Sequence, residues 1–298
     1  MNADKNERKA HLGRIALLGA TLIWGTSFVV LKNTLDSVPT LYVLGIRFLG
    51  AAIVMALVCI KKLHRLDMGY LKGGAVMGAM LFLAYAFQTF GLEHTTPGKN
   101  AFLTTSYCIL VPFLQWGIYR KKPNGYNVLA AVVCIVGVGL VSLQENLSIG
   151  IGDGLTLACG LFYGLHMIVT EKYIKGREAA LLTLVQFAVA GALAWVLALT
   201  TTEFPEKVPV DAAVSIVYLC VMCTATCFFL QTFGQKYTPA AAVAVIMTLE
   251  SVFGAILSAV FYHEPMSFRL VSGFALIFVA VLISETRLEF LKIGKRKT

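Results

Sequence analysis

The sequence predicts an all-α integral membrane protein whose ten transmembrane helices form two inverted five-helix repeats. Hydrophobic residues make up 58% of the 298 residues and charged residues only 14%, whereas soluble domains are about a quarter charged. Ten apolar segments are each about long enough to cross a hydrocarbon core of roughly 30 Å. A four-residue motif recurs in two of these segments, which indicates that one half of the chain duplicates the other.

The recurring motif is Gln88-Thr-Phe-Gly91, which reappears as Gln231-Thr-Phe-Gly234. After a shift of one residue, the two apolar segments that follow the motif also align, so that Pro123 falls on Pro265. Repeats of this kind are typical of transporters built from two related halves. The duplication predicts two five-helix units, residues 1–143 and 144–298.

The spans are predicted from apolar runs of about 20 residues. In the first unit the predicted spans are 13–32, 41–60, 71–91, 99–119 and 126–143. In the second unit they are 153–171, 180–200, 212–234, 240–262 and 268–286. The connections are short and hold most of the Gly, Pro, Asn and charged residues, so no soluble domain is expected.

The distribution of Lys and Arg predicts the orientation. Of the 25 such residues, Arg47 lies inside a span, four lie on one side, and the other twenty lie on the opposite side; the four are Lys32, Lys99, Lys207 and Arg269. The positive-inside rule therefore places both termini of this multi-pass protein in the cytoplasm, and we expect the cell (plasma) membrane. Because each repeat has an odd number of spans, the second copy must be inverted. The basic loops suit anionic membrane lipid as a partner and require no nucleic acid.

Two ionisable side chains fall well inside predicted spans. Glu250 lies about 11 residues into the ninth span, and Arg47 lies about two turns from the outer end of the second. A charged group at the bilayer centre costs about 2.5–3.5 kcal/mol on insertion scales, so each must face protein or water. One interpretation is a substrate or proton site. The alternatives are a pair or backbone contact that locks helices, or an Arg47 side chain that reaches the surface.

Polar side chains also recur at helical spacing. They are Tyr85 and Gln88 in the third span, Asn100, Thr104 and Tyr107 in the fourth, and Cys159, Tyr163, His166 and Thr170 in the sixth. Such a polar face is typical of an aqueous cavity, because lipid would leave its donors without partners. The alternative is hydrogen bonding between helices. His166 is correspondingly either a proton carrier or a packing residue.

The two copies of the repeated motif allow two compatible interpretations. Gln88 falls near the outer end of its helix and Gln231 near the inner end of its own, which suits roles at the two gates of an alternating-access cycle. The other interpretation is that Gly91 and Gly234 cap the C-termini of their helices.

Other chemistry is not indicated by the sequence. All seven cysteines lie inside or at the end of predicted spans, which favours close helix packing over disulfides, and Cys220-Val-Met-Cys223 has no histidine nearby to complete a metal site. The sequence lacks the Gly-Lys-Ser/Thr phosphate loop, His-Glu-x-x-His and Gly-x-Ser-x-Gly. We therefore expect no metal, no cofactor, no catalytic residue and no ATP-driven pump.

Several short motifs follow one another in a characteristic order: Trp24-Gly25-Thr26-Ser27-Phe28, Arg47-Phe48, Gly91-Leu92 with Thr95-Thr96-Pro97, and Leu249-Glu250-Ser251-Val252-Phe253 with His263-Glu264-Pro265. In this order the chain resembles the drug/metabolite transporter superfamily and, within it, the ten-helix EamA-type exporters. One departure is Ser251, where the family often has a proline after the glutamate. The resemblance implies two inverted five-helix repeats and export of small metabolites.

Together these features predict a secondary active transporter of small organic metabolites that works by alternating access. Aromatic residues together with one cation and one anion favour amino acids or related amphipathic compounds as the small-molecule substrate. We expect substrate between the two repeats, in contact with Trp24, Ser27, Arg47, Tyr85, Gln88, Asn100, Tyr107, Tyr163, His166, Gln231 and Glu250. The alternatives are a passive channel and an intramembrane enzyme that uses Glu250 and His166 as acid and base. A homodimer is left open.

Overall fold

The computed structural model describes residues 2–143, 149–237 and 246–286, which are helical apart from short connections. Within these ranges, eight helices are long and apolar enough to cross a membrane, and two shorter apolar helices follow them. The prediction of an all-α integral membrane protein with ten transmembrane helices in two inverted repeats is confirmed. The first residues predicted for the ninth span, 240–245, lie outside the described ranges.

The spans are numbered first to tenth along the chain. The first five are Asn2–Leu35, Thr40–Val58, Met68–Glu93, the pair Pro97–Thr104 and Tyr107–Tyr119, and Gly125–Ser142. A short 3₁₀ helix, Ile60–Arg65, joins the second span to the third. The second five are Ile151–Tyr173, Ala179–Thr201, the series Val210–Tyr218, Leu219–Thr226 and Cys227–Tyr237, then Leu249–Phe261 and Phe268–Thr286.

Several spans begin at residues whose side chains accept a hydrogen bond from the free backbone N–H groups of the first turn. Asp67 accepts from the N–H of Tyr70 at 3.0 Å, and Asn124 and Asn127 accept from each other's backbone N–H. Such caps satisfy donors that have no partner inside the helix. Pro97 opens the fourth span, where its missing N–H is not needed. The polar connections in the sequence thus mark where helices start.

Large apolar side chains cover the outside of the protein. Ile135, Leu199 and Phe268 are 71%, 69% and 90% exposed, although each belongs to an apolar helix. In water such surfaces would favour association, whereas in a bilayer they contact lipid. The seven cysteines are buried, and their thiols are free. Their predicted packing role is consistent with these positions.

The packing of the spans has a pseudo-twofold symmetry. The third span contacts the sixth, and the eighth contacts the first; likewise the ninth contacts the first, and the fourth contacts the sixth. The second, fourth and fifth spans contact the seventh, ninth and tenth respectively. If every span is replaced by the span five places away in the chain, the same set of contacting pairs results. The two halves therefore pack as related units.

The glycines of the repeated motif show the same relation at the level of single residues. Each packs closely on two residues of another span: Gly91 on Gly152 and Thr156 of the sixth, and Gly234 on Gly13 and Leu17 of the first. Gly152 and Thr156 each lie 139 residues after Gly13 and Leu17. Because the third span continues to Glu93 and the helix of Gly234 to Tyr237, the interpretation as C-terminal caps is wrong. A Cβ on Gly234 would lie 2.4 Å from Leu17 Cγ, so these glycines permit close approach of helices.

Two helices are interrupted at equivalent places. The fourth span, predicted over 99–119, is a candidate membrane span over Pro97–Tyr119 and breaks at Thr105 and Ser106, and the ninth breaks at Thr248. Thr248 lies 142 residues after Ser106, the shift that aligns the two repeats here. Near each break, a hydroxyl donates to the carbonyl three residues earlier: Thr105 to Phe102, and Ser251 to Thr248. Bonds of this type compete with the regular helical pattern, and the second break occurs without the proline that the family often has after Glu250.

Connections at the two ends of the spans form separate clusters. Glu264, between the ninth and tenth spans, accepts a hydrogen bond from Thr96, between the third and fourth. Glu178, between the sixth and seventh spans, binds Lys62 at 2.6 Å, between the second and third. The hydrogen bond from Lys62 lowers the pKa of the exposed Glu178 carboxyl. The connection at Asn124 follows the fourth span and lies at the end opposite Thr96, as inversion of the second repeat requires.

This arrangement predicts the outcome of labelling from the two sides of the membrane. Single cysteines are placed at Lys121 and Met266 in a background without the native cysteines, because both positions are exposed and neither caps a helix. A membrane-impermeant maleimide should label them from opposite sides, with Lys121→Cys on the cytoplasmic side. Labelling of both from one side would contradict the inverted repeat.

Candidate functional site

A central cavity lies between the two halves, lined by the first, second, third, fourth, sixth, eighth and ninth spans. Its empty volume is about 710 Å³, counting the part that opens to its surroundings. Ten of the eleven residues predicted to contact substrate line it: Trp24, Ser27, Arg47, Tyr85, Gln88, Tyr107, Tyr163, His166, Gln231 and Glu250. Asn100 does not. Cavities of this kind, mostly apolar with a few polar groups, are the usual form of a small-molecule site.

The cavity wall repeats across the pseudo-twofold axis. Trp24, Ser27 and Phe28 of the first span correspond to Tyr163, His166 and Met167 of the sixth, each 139 residues later, and all six line the cavity. Gln88 and Gln231, from the two copies of the repeated motif, line this same cavity. The cavity therefore lies on the axis that relates the repeats.

Arg47 is 1% exposed and is held on two sides. Its Nε donates to the hydroxyl of Thr224 at 2.5 Å, and its guanidinium lies 4.8 Å from the ring centre of Tyr85. Its Nη2 has no hydrogen-bond partner among the described residues. Arg47 therefore lines the cavity with one buried N–H donor group that has no partner in the described parts of the chain.

Glu250 supplies an acidic side chain to the same cavity. It is 8% exposed and is the second residue of the helix Leu249–Phe261, where the helix dipole favours an anion. Within the ranges that the structure describes, neither Glu250 nor Arg47 takes part in a salt bridge. The alternative of a mutual ion pair that locks two helices is therefore not what the structure shows.

The polar ends of several lining residues are already satisfied by protein. The hydroxyl of Tyr163 donates to Gln88 Oε1 at 3.0 Å, and Gln88 Nε2 donates to Thr104 at 3.1 Å. The rings of Tyr85 and Tyr163 meet edge to face, with their centres 5.5 Å apart. These contacts fix the aromatic rings in the cavity wall.

His166 lines the cavity and also binds a neighbouring helix. Its Nε2 lies 2.9 Å from Gln186 Oε1 of the seventh span. The predicted polar face of the sixth span is thus divided, because Tyr163 and His166 line the cavity whereas Cys159 and Thr170 do not. Cys159 instead lies 3.5 Å from the Thr104 hydroxyl.

Asn100 has a structural position. It is fully buried, and its Nδ2 donates to the carbonyl of Gln88 at 3.1 Å and to Thr156 Oγ1 at 2.8 Å. These bonds join the third, fourth and sixth spans, since the residue projects between helices. Its helical spacing with Thr104 and Tyr107 could not distinguish this place from the cavity wall.

Thr104, which belongs to the predicted polar face of the fourth span, also lines the cavity. Six further lining residues were not predicted: Phe28, Leu31, Leu81, Met167, Phe228 and Met247. The signal for several was helical spacing, since Phe28 lies one turn after Trp24, and Met247 one turn before Glu250. The predicted site consisted of polar and aromatic residues, whereas most of these additional lining residues are apolar. Apolar lining is expected of a site for amphipathic ligands.

Known proteins share the sequence pattern of this chain. A model of the EamA-like transporter family matches residues 11–143 and again residues 150–286. The chain belongs to the EamA-like transporter family. A protein of Archaeoglobus fulgidus, named as an uncharacterized transporter, is 31% identical over 281 residues, which cover 92% of this chain and 85% of that protein.

Other members and one solved structure agree with this membership. The uncharacterized transporter YetK of Bacillus subtilis is 24% identical over 284 residues, covering 91% of this EamA-like chain and 86% of YetK. One crystal structure of a protein superposes with a TM-score of 0.67 at 15% identity, covering 93% of this chain and 98% of the other, which supports the fold alone. The family and its named members are transporters and point away from an enzyme.

The cavity predicts which positions of the sixth span react with water-soluble thiol reagents. On a background without native cysteines, Tyr163→Cys and His166→Cys should react quickly with a charged methanethiosulfonate, whereas Leu161→Cys, whose side chain is 39% exposed on the apolar surface, should react slowly. The reason is that thiolate forms poorly in an apolar setting. Thr170→Cys serves as a second slow position, because this residue lies outside the cavity wall. Equal rates at 161 and 163 would show that the cavity is dry.

Proposed function

We propose that this chain is a secondary active transporter of small zwitterionic metabolites, namely amino acids and related amphipathic compounds. The observation that carries the proposal is that Arg47 and Glu250 line one cavity without a salt bridge to any described residue. Export is supported by the resemblance to EamA-type exporters alone. The basic residues at one end support the assignment of that end to the cytoplasm.

The charges support a substrate that carries both signs. A buried ion without a partner is costly, and a ligand group of opposite charge offsets that cost. A substrate carboxylate satisfies Arg47, and a substrate ammonium satisfies Glu250. A neutral solute would leave both charges unpaired. The rings of Trp24, Tyr85 and Tyr163 and the apolar side chains between them provide contacts for the rest of an amphipathic molecule.

The repeat architecture supports alternating access. In transporters built from inverted repeats, substrate binds at the repeat interface beside interrupted helices, and the two halves exchange conformations. Here the breaks at Ser106 and Thr248 lie at equivalent positions, next to the lining residues Tyr107 and Met247. The two conformations would then open the same site to opposite sides of the membrane.

The test begins with substrate identification. Purified protein is screened by thermal shift against the twenty standard amino acids, because a ligand that binds the folded state raises its stability. Compounds that bind are then followed in proteoliposomes. Saturable flux with counterflow is expected of a carrier. Flux that does not saturate would indicate a channel, and a chemically altered solute would indicate an enzyme.

Glu250→Gln should reduce amino acid transport at least about tenfold while the melting temperature changes little, because the substitution keeps the volume and removes an unpaired charge. Arg47→Gln should have a comparable effect for the opposite charge. The matched control is Glu171→Gln, at an exposed carboxylate near the end of the sixth span. A lowered melting temperature with normal transport by the surviving Glu250→Gln protein would assign Glu250 a structural role.

A further inference from the structure

The eighth span contains a feature that its counterpart lacks. Its middle segment, Leu219–Thr226, is a π-helix, whereas the third span is an unbroken α-helix over Met68–Glu93. The π-helix is rare, and it often occurs at functional sites because its wider turn redirects side chains and backbone groups. This segment therefore breaks the symmetry between the repeats beside the cavity.

Thr224 makes two hydrogen bonds from within this segment. Its hydroxyl donates to the carbonyl of Leu219, five residues earlier, at 2.8 Å, and accepts from Arg47 Nε at 2.5 Å. In an α-helix such a hydroxyl reaches the carbonyl three or four residues earlier. Because the single hydroxyl proton is used by Leu219, the lone pairs of the oxygen remain for Arg47. The π-helical geometry thus determines where Thr224 can hold the guanidinium.

This attachment leaves one part of Arg47 for a ligand. Its Nε is bound to Thr224 and its plane lies beside the ring of Tyr85. Arg47 lines the cavity, and its Nη2 is buried and has no partner in the described parts of the chain. A guanidinium presents its donors in one plane, which matches the two oxygens of a carboxylate.

Cys223, the residue before Thr224, likewise orients a side chain, in this case one of the first span. The carbonyl of Cys223 accepts a hydrogen bond from Trp24 Nε1 at 2.6 Å. Consecutive residues of the π-helix therefore orient two cavity side chains that belong to different spans. A change in the π-helical pattern would move both.

We propose that Arg47 forms a carboxylate subsite in the cavity and that Thr224 is the positioning residue that aims it. The assignment of the carboxylate to a transported amino acid rests on the proposed function. The π-helical segment then determines which end of the substrate lies against the second and eighth spans, and Glu250 of the ninth span faces the ammonium end.

The first measurement requires no ligand. In arginine-labelled protein in micelles, nitrogen-15 NMR should show one slowly exchanging Nε–H that disappears in Arg47→Lys. The signal should persist in Thr224→Ser, which keeps the hydroxyl, and lose its protection in Thr224→Val. Thr21→Val is the matched control, because Thr21 is fully buried and its hydroxyl donates only within its own helix, to Leu18. Thr224→Ala replaces the valine variant if that variant does not fold.

The second measurement uses the twenty amino acids and their C-terminal carboxamides as probes in thermal-shift titrations. The wild type should bind an acid at least about tenfold more tightly than its amide, because only the acid pairs with the guanidinium. Thr224→Val should weaken acid binding about tenfold and leave amide binding unchanged, and Thr224→Ser should restore acid binding. Thr224→Val should add no further loss to Arg47→Gln, since Thr224 acts through Arg47.

The outcomes separate the two proposals. An unchanged Nε–H signal in Thr224→Val would overturn the positioning role, and equal binding of acids and amides would overturn the carboxylate subsite. If no amino acid binds, the proposed function fails, and butyrate and succinate become the probes. A stabilisation by these carboxylates that needs both Arg47 and Thr224 would support the subsite, whereas no stabilisation by them would overturn it as well.

Discussion

The structure depends on one constraint, which is that polar groups inside a bilayer must find partners in the protein or in a water-filled cavity. The Nδ2 group of Asn100 meets it by bridging three spans, and the Tyr163 hydroxyl meets it through Gln88. Arg47 Nη2 is one of six buried side-chain polar atoms that have no hydrogen-bond partner in the described parts of the chain, and Glu250 forms no ion pair there; both residues line the cavity. Unpaired charge at this depth is stable where water or substrate supplies the partner.

Pseudo-twofold symmetry explains where the cavity lies, and departures from symmetry explain what it selects. Three lining residues of the first span correspond to three of the sixth, and Gln88 corresponds to Gln231, so an ancestral cavity between two equal halves accounts for part of the wall. The charges do not follow this pattern, since Cys108 stands where Glu250 would map in the first repeat. The π-helix that holds Arg47 is likewise confined to one half. The proposed contact at Glu250 and the π-helix beside Arg47 are therefore features that differ between the repeats.

The architecture was predictable because each of its causes has a sequence signal. Apolar runs marked the spans, the repeated Gln-Thr-Phe-Gly motif marked the duplication, and polar residues at helical spacing marked the cavity. The breaks at Ser106 and Thr248 were missed because local hydroxyl to carbonyl bonds decide them inside uniformly apolar runs. Asn100 was assigned to the cavity because spacing identifies a helix face and does not say whether that face meets a cavity or another helix.

The π-helix of the eighth span could not be predicted from the sequence, for a different reason. Its residues, Leu219–Thr226, are ordinary for a transmembrane helix, and nothing in their pattern distinguishes a spacing of five from one of four. Its form becomes meaningful only through partners distant in the chain, Arg47 and Trp24, whose donors reach Thr224 and the carbonyl of Cys223. Buried donors on neighbouring helices must be satisfied, and they stabilise a backbone form that the segment would seldom adopt alone. The orientation of the Arg47 guanidinium is thus a tertiary property, which depends jointly on the first, second and eighth spans.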